Sequence, residues 1–414
     1  MLVSSDVLTG SATGDFAAPV ATASPSSSSC LGQDAKPREC TTRVLHVVNG
    51  QHFSGAERVQ SHLGHCLPYF GVRADFAMLK PDRFAARLKE QDARGDSWGR
   101  GYPIPMTSKI DLGIVRRLSR LLRANEYQLV HAHTPRAAMV TALASRLAGV
   151  PWVYHVHSPA SRDCERAINN QINAWVERLS LKNCSHQITV SRSLRNDLVS
   201  HGGDAGRITV VPNGVPVVDV PARSKPATCG TWVFGMIALM RARKGLEVAL
   251  QAMAELRRRG RPVKLRCIGP FETDEYENTV ESLIRDLGIL DSVERIGFTD
   301  DVTGELTRMD AMVLPSLFGE GLPMVVLESM AAATPVIATR VEGTPEAIDH
   351  GVEGLLAEPN DPVSLADQME ALIQGTHDWS SMATAAQRRQ RQCFSDLSMA
   401  RQTASVYQKV MARL

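Results

Sequence analysis

The chain has 414 residues, which is enough for two or three domains. Its 46 basic residues nearly balance 44 acidic ones, which argues against a dedicated nucleic-acid binder with its usual basic excess. The 8 cysteines show no metal-binding spacing and are typical of reduced thiols. There is no apolar run of membrane-spanning length and no secretory signal pattern at the start, so we expect a cytoplasmic protein.

The first forty residues are dominated by Ser, Ala, Thr and Pro. A segment of this composition cannot bury enough apolar surface to offset the entropy lost on ordering. The sequence therefore predicts a disordered, low-complexity tail over residues 1–40.

Beyond Arg43, short apolar runs alternate with helical stretches. Runs typical of buried parallel strands lie at residues 44–48, 128–132, 152–157, 187–190 and 208–211. Helices are predicted from about Gly55 and over residues 135–148, 164–182 and 193–201. This alternation predicts a parallel sheet covered by helices on both faces.

A proline-rich segment, residues 216–230, separates this half from a second one in which the alternation restarts. Strands are predicted at residues 232–239, 263–268, 293–296, 311–314, 335–338 and 354–356, and helices at 245–258, 275–287, 302–309, 323–333, 363–373 and 380–414. The predicted fold class is α/β, with two doubly wound parallel-sheet domains, 41–220 and 221–390. Residues 391–414 are expected to form a helix that packs back on the first domain. Ligands of such sheets bind at the carboxyl ends of strands, so the strand-to-helix loops are the places to search.

The sharpest chemical signal is the segment FGEGLPMVVLE, which lies between two apolar runs. Pro323 suits the first position of a helix, which leaves Glu320 in the loop and Glu328 within the helix. The amides of Gly321 and Leu322 then form an anion or hydroxyl site at the helix N-terminus. Two carboxylates at this spacing can face one ligand, and sugar or ribose hydroxyls are their natural partners. An N-capping carboxylate and a solvated helix glutamate are the structural alternative.

A basic loop precedes the first helix of the second domain. Arg241 and Lys244 lie just before the helix predicted to begin at Gly245. Cations beside N-terminal amides can neutralise a departing diphosphate. A solvated basic loop is the alternative interpretation.

Two pairs of histidines lie at the ends of neighbouring predicted strands. His155 and His157 are two residues apart, so their side chains point the same way, and His131 and His133 repeat this pattern. From the residues alone, buried and hydrogen-bonded histidines are the simplest interpretation.

Taken together, these segments resemble the retaining GT-B-fold glycosyltransferases of family 4 (GT4). Glu320 and Glu328 match the E-x7-E element of that family, and SGAER after the first strand resembles its GGAE loop. The segments VVPNGV, RARKG, GFTDD and VEGTPE also match, in the expected order. The resemblance covers about residues 43–373 and implies two Rossmann-like domains that face a central cleft.

The resemblance implies a retaining transfer from a nucleotide-sugar donor, UDP- or GDP-linked, to a glycan or lipid-linked acceptor in cell-surface polysaccharide or glycolipid synthesis. It implies catalytic roles for His157, Lys244 and Glu320, with His133 and His155 supporting His157. Glu328 is expected to bind the ribose.

Further donor contacts follow from the same resemblance. Gly55 and its loop are expected to meet the diphosphate or the sugar, and Gly297 and Phe298 the nucleotide base. Arg241, Gly321, Leu322 and Pro323 complete the donor-binding set. The sequence has no Asp-x-Asp element in a suitable loop, so we expect a metal-independent reaction without a cofactor.

The sequence departs from the family at one place. The usual Gly-Arg-Leu before the basic loop is Ala238-Leu239-Met240, and Arg241 and Arg243 are the two candidates to replace the missing arginine. Two alternatives to a transferase therefore stay open: a sugar-nucleotide epimerase of the same fold, and a non-catalytic nucleotide-sugar-binding protein.

Two further segments have a functional and a structural interpretation. Residues 114–123 combine apolar residues at helical spacing with four arginines, so they either touch anionic lipid heads or form an ordinary basic helix face. Glu346 is expected to cap or brace a neighbouring helix.

Overall fold

A computed structural model of the chain describes residues 38–51, 53, 55–96, 98–107, 111–158, 180–220, 223, 225–226 and 229–413. Almost all of the predicted tail and most of the helix predicted over residues 164–182 lie outside the described residues.

Within the described part of the first half, seven parallel strands form one sheet in the order β3-β2-β1-β4-β5-β6-β7. They are β1 (Thr42–Val48), β2 (Val72–Met78), β3 (Gly101–Pro103), β4 (Leu129–Ala132), β5 (Trp152–Val156), β6 (His186–Thr189) and β7 (Ile208–Val210). The helices between them are α1 (Gly55–Cys66), α2 (Arg83–Ala93), α3 (Leu112–Ala124), α4 (Pro135–Ala148) and α5 (Arg192–Ser200).

The second half, in the fully described stretch 229–413, has a six-stranded parallel sheet in the order β10-β9-β8-β11-β12-β13. Its strands are β8 (Trp232–Ile237), β9 (Val263–Ile268), β10 (Val293–Gly297), β11 (Ala311–Leu314), β12 (Val336–Thr339) and β13 (Gly354–Ala357). Its helices are α6 (Leu246–Arg258), α7 (Asp274–Asp286), α8 (Val302–Thr307), α9 (Met324–Ala331), α10 (Thr344–Ala347), α11 (Pro362–Gln374), α12 (Trp379–Cys393) and α13 (Asp396–Met411).

Both sheets have the Rossmann strand order, which confirms the predicted fold class. The order reverses between β1 and β4 in the first sheet and between β8 and β11 in the second. Loops that leave neighbouring strands at such a switch point diverge, and the crevice between them is where ligands of this fold bind. Gly55 begins the helix that follows β1, Lys244 lies in the loop after β8 and Glu320 in the loop after β11, so all three predicted residues lie at switch points.

The cores explain why the strand pattern could be predicted. Val44, Leu45, Val47 and Val48 of β1 are all fully buried, because a central parallel strand is covered on both faces. His46 is equally buried in the middle of this apolar run.

The structure also differs from the prediction. The elements β2, α2 and β3 were not predicted, since Asp75 interrupts the apolar pattern of β2. Its fully buried carboxylate accepts hydrogen bonds from the Tyr127 hydroxyl at 2.7 Å and the Arg100 amide at 2.8 Å. Buried polar groups that are satisfied in this way leave no periodic trace in the sequence.

The predicted helix over residues 380–414 is two helices, α12 and α13. They are separated at Phe394 and Ser395, and the Ser395 hydroxyl caps α13 by accepting from the Ser398 amide at 3.2 Å. Helix α13 then packs against α1 of the first half.

The cysteines of the described residues, at positions 40, 66, 184, 229, 267 and 393, are unpaired. Among the described helices, none is both long and apolar enough to cross a membrane.

Candidate functional site

Loops that follow strands of the two halves touch each other. A side chain on Gly321 would collide with the backbone oxygen of His157, and the Leu322 backbone oxygen accepts a hydrogen bond from Asn213 Nδ2 at 2.8 Å. A side chain on Gly343 would in turn collide with the backbone oxygen of Gly321. Glycine at position 321 therefore lets the second half approach the end of β5, where His157 lies.

Glu320 is the centre of the site in the second half. It is 5% exposed, and its Oε1 atom is ion-paired with Lys244 Nζ and accepts a hydrogen bond from Ser316 Oγ at 2.6 Å. The Arg243 guanidinium lies 3.9 Å from the same oxygen. The structure thus brings the predicted Lys244 and Glu320 into direct contact.

Each member of this pair favours the charged form of the other. Burial alone would raise the pKa of Glu320, but the Lys244 ammonium and the Ser316 hydroxyl outweigh it and hold the pKa below its ordinary value. Burial lowers the pKa of Lys244, and Glu320 opposes that shift. The pair lies beside a glycine-rich loop at the switch point, where an anionic ligand could replace Glu320 as the partner of the ammonium group.

The two candidate arginines have different positions. Arg243 Nη1 donates to the Gly319 backbone oxygen at 3.1 Å, so it lies on the Glu320 loop. Arg241 Nη1 lies 3.5 Å from Glu272 Oε1. By position, Arg243 is the one that faces the predicted site.

Glu328 lies on α9 and is ion-paired across the boundary between the halves. Its Oε1 atom is 2.5 Å from Arg58 Nη2 of α1. Burial raises the pKa of Glu328, and the Arg58 guanidinium counters part of that effect. Arg58 belongs to the SGAER motif, but its contact with Glu328 was not predicted, because it depends on how the halves pack.

The remaining predicted donor contacts lie at or after the carboxyl ends of strands. Pro323 is the N-cap of α9, and the helix begins one residue later than predicted, at Met324. Gly55 begins α1, and a Cβ placed on it would be 3.6 Å from Met324 Cγ. Gly297 ends β10 with a positive φ of 76°, and Phe298 beside it is 63% exposed.

Among the described residues, five histidines gather toward the carboxyl ends of β1, β4 and β5. This five-histidine cluster consists of His46, His131, His133, His155 and His157. His46 was not predicted as a site residue, although a histidine inside the apolar run of β1 is a signal for it. The register pairs His46 with His131, which places their side chains next to each other.

The cluster is uncharged at neutral pH. Burial lowers the pKa of His46 to about 3 and that of His157 to about 4. Burial and the neighbouring rings hold the pKa values of His131, His133 and His155 well below 6.5. His157 can therefore act as a neutral hydrogen-bonding group toward a ligand.

Two histidine triads of the cluster have the ligand spacing of a metal site. The triads are His46, His131 and His133, and His133, His155 and His157, in which the ligand atoms lie within 4.8 Å of one another. Imidazole nitrogens suit transition metals such as zinc.

Glu346 caps a helix of the other half, as expected. Its two carboxylate oxygens accept from the amides of Arg192 and Ser193 at 2.8 Å each, at the N-terminus of α5. This carboxylate therefore joins the halves, and both of its oxygens are occupied.

Two family matches together cover most of the chain. Residues 53–218 match the family described as Glycosyltransferase Family 4, and residues 231–375 match the family described as Glycosyl transferases group 1. The chain belongs to the family 4 glycosyltransferases.

Similar members of the family are named for bacterial polysaccharides. The chain is 30% identical over 221 residues to a Salmonella typhimurium protein named for colanic acid biosynthesis, WcaL, covering 51% of this chain and 54% of WcaL. It is 27% identical over 230 residues to the amylovoran biosynthesis glycosyltransferase AmsK of Erwinia amylovora, covering 54% of this chain and 56% of AmsK. The alignments thus span about half the length of these relatives.

Solved structures share the fold of this family 4 chain. Anabaena HepE, crystallised in complex with UDP and glucose, superposes with a TM-score of 0.77 at 23% identity, covering 89% of this chain and 100% of HepE. At this identity the likeness establishes the two-domain GT-B architecture, in which the cleft lies between the halves.

Proposed function

We propose that this family 4 protein is a retaining glycosyltransferase that moves a sugar from a UDP- or GDP-linked donor to a glycan or lipid-linked acceptor. The contact of Lys244 with Glu320 at the switch point of the second half carries the proposal. A cation and a carboxylate held there, across from His157, suit a ligand that has both a diphosphate and sugar hydroxyls. The names of WcaL and AmsK support a role in polysaccharide synthesis, and the complex of HepE with UDP and glucose supports a UDP-linked donor.

The donor would displace the resting contacts of the site. Lys244 and Arg243 would bind the diphosphate and stabilise the charge that builds on it as the glycosidic bond breaks. Glu320, released from Lys244, would accept hydrogen bonds from hydroxyls of the transferred sugar. Because these cations can provide the positive charge, we propose that the reaction needs no metal ion or other cofactor.

The rest of the site would orient the nucleotide and the sugar. Glu328, held by Arg58, would accept from the ribose hydroxyls, and Gly297 and Phe298 would contact the base. The amide of Gly55 would approach the sugar from the first half.

His157 would hydrogen-bond to the transferred sugar as a neutral ring. His133 would hold His157 in place through a hydrogen bond and His155 through ring stacking. Arg241 and the loop of residues 321–323 would complete the donor pocket.

A panel of UDP-, GDP- and ADP-sugars tests the proposal, with free nucleoside diphosphate as the readout. We expect slow release from one donor, resistant to EDTA and abolished in Lys244→Ala and Glu320→Ala. Lys264→Ala is the matched control, because Lys264 is an exposed lysine of β9 in the same sheet. Isomerisation of the donor without release would instead identify an epimerase, and binding without turnover a non-catalytic protein.

We also propose that the protein works at the inner face of the cytoplasmic membrane. Arg116 and Arg120 are exposed on α3, and on the adjacent α4 Leu143 and Leu147 are 48% and 52% exposed. A groove of about 510 Å³ between these helices is lined by both leucines and by Arg116 and Arg146. Apolar side chains rimmed by arginines favour an anionic lipid surface.

Vesicle co-sedimentation tests the membrane contact. We expect binding to vesicles with phosphatidylglycerol, weak binding to pure phosphatidylcholine, and loss of binding in the double variant Arg116→Glu/Arg120→Glu. Equal sedimentation of the variant and the parent would refute it.

A further inference from the structure

A chain of hydrogen bonds connects the C-terminal helix to His157. The hydroxyl of Tyr407, a fully buried residue of α13, lies 2.6 Å from His131 Nδ1 and 3.3 Å from His46 Nε2. His46 Nδ1 is 2.9 Å from His133 Nε2, and His133 Nδ1 is 3.2 Å from His157 Nε2. The chain therefore runs from Tyr407 through two rings to the histidine that faces the other half.

The protons of this chain are coupled. A neutral imidazole has one N–H donor and one acceptor nitrogen. A ring that donates from one nitrogen must therefore accept at the other, so the tautomer of each ring determines the tautomer of the next. The direction of the bond at the Tyr407 hydroxyl thus decides which nitrogen of His157 carries the proton.

The distances at Tyr407 indicate the direction of its hydrogen bonds. A hydroxyl donates over shorter distances than an N–H group, whose bonds to oxygen lie at about 2.7–3.2 Å. The contact of 2.6 Å with His131 Nδ1 fits donation by the hydroxyl. The contact of 3.3 Å is just beyond the N–H range and farther beyond the range of a hydroxyl donor, so we assign it to donation by His46 Nε2–H to the phenol oxygen. The reverse assignment would require an unusually short N–H bond and a long O–H bond at the same oxygen.

We propose that Tyr407 is a positioning residue that holds His157 as its Nε2–H tautomer, so that Nδ1 of His157 is an acceptor for a sugar hydroxyl. His46 Nδ1 accepts from His133 Nε2–H, and His133 Nδ1 accepts from His157 Nε2–H. The chain ends at His157 Nδ1, which has no hydrogen-bond partner among the described residues. The contact with the sugar rests on the proposed function, whereas the tautomer does not.

Nitrogen-15 NMR of histidine-labelled protein measures the tautomers directly. In the parent protein we expect His46, His131, His133 and His157 all to be protonated at Nε2 and bare at Nδ1. Tyr407→Phe removes both bonds of the hydroxyl, so His157 should become a mixture of tautomers and kcat should fall about tenfold with little change in KM. His46→Phe breaks the chain at its next member and should have the same effect on His157.

Val410→Ala is the matched control, because Val410 is buried on the same helix and leaves the phenol in place. It should loosen packing without altering the His157 tautomer.

Three results would overturn the proposal: a protonated Nδ1 on His157 in the parent, an unchanged tautomer in both chain-breaking variants, or a stoichiometric metal ion in the purified protein. The metal would occupy the same ring nitrogens. If no donor is turned over but the tautomers are as expected, only the proposed function fails.

Discussion

The five-histidine cluster should make the protein sensitive to mild acid. In the folded protein the pKa values of these rings lie well below 6.5, their ordinary value. Below about pH 6.5 the unfolded chain therefore binds protons that the folded chain does not, and the free energy of unfolding must fall as the pH falls. Above about pH 6.5 the cluster makes no pH-dependent contribution.

The size of the effect follows from the linkage relation. One buried ring costs about 0.8 kcal/mol of stability at pH 6 and about 2 kcal/mol at pH 5. Five rings together cost roughly 4 and 10 kcal/mol, which approaches the whole stability of a typical protein, about 5–15 kcal/mol. His62 and His186, with pKa values lowered to about 3 and about 4, act in the same direction.

Urea denaturation between about pH 7.5 and pH 5 tests this expectation. The pKa of Glu320 is lowered, so its contribution to the free energy of unfolding is lost only at more acidic pH. The pKa of Glu328 is raised, so its protonation adds to the free energy of unfolding as the pH falls, but this effect comes from a single group. His155→Leu is the matched variant, because neither ring nitrogen of His155 has a partner among the described residues. It should recover about 2 kcal/mol relative to the parent at pH 5. A constant urea midpoint over this range would refute the reasoning.

Three further predictions concern contacts around the site. Lys244→Ala leaves the Glu320 charge buried without its partner and should lower the free energy of unfolding by about 3–5 kcal/mol, measured by thermal unfolding. The double variant Lys244→Ala/Glu320→Ala should recover part of this loss. Arg58→Ala removes the guanidinium that counters the raised pKa of Glu328, so Glu328 should become a poorer acceptor and KM for the donor should rise more than kcat falls. A fall in kcat with an unchanged KM would contradict the assigned role. Glu346→Ala removes the cap of α5 and should cost about 0.5–2 kcal/mol without changing KM for the donor, which steady-state kinetics and thermal unfolding together can check.

Much of the fold and part of the site could be predicted because their signals are local. Central parallel strands are buried on both faces, so β1 and β11 are visible as apolar runs. The loops after two neighbouring strands border the crevice at the switch point, and this places Lys244 near Glu320 once the Rossmann order is assumed. Strand β2 was not predicted because Asp75 is satisfied by distant groups that no short window of sequence contains.

The contacts that cross between the halves could not be predicted from any one segment. The bond from Asn213 to Leu322 and the ion pair of Arg58 with Glu328 join residues that are more than a hundred positions apart. The same holds for Tyr407, whose helix returns from the end of the chain to the histidines of the first half. Periodicity describes how each element faces its own sheet, and it contains no information on how two finished sheets meet.

From the ion pairs at the site we propose that donor binding is an exchange of partners. The carboxylates proposed to bind the donor already have cationic partners, Lys244 for Glu320 and Arg58 for Glu328. Leaving such buried charges unpaired would be costly, so the unliganded site keeps them in ion pairs. A ligand with both a diphosphate and hydroxyl groups can replace both partners of the Lys244 pair at once, whereas a neutral sugar or a free phosphate can replace only one. The resting ion pairs therefore favour the complete nucleotide-sugar over its fragments.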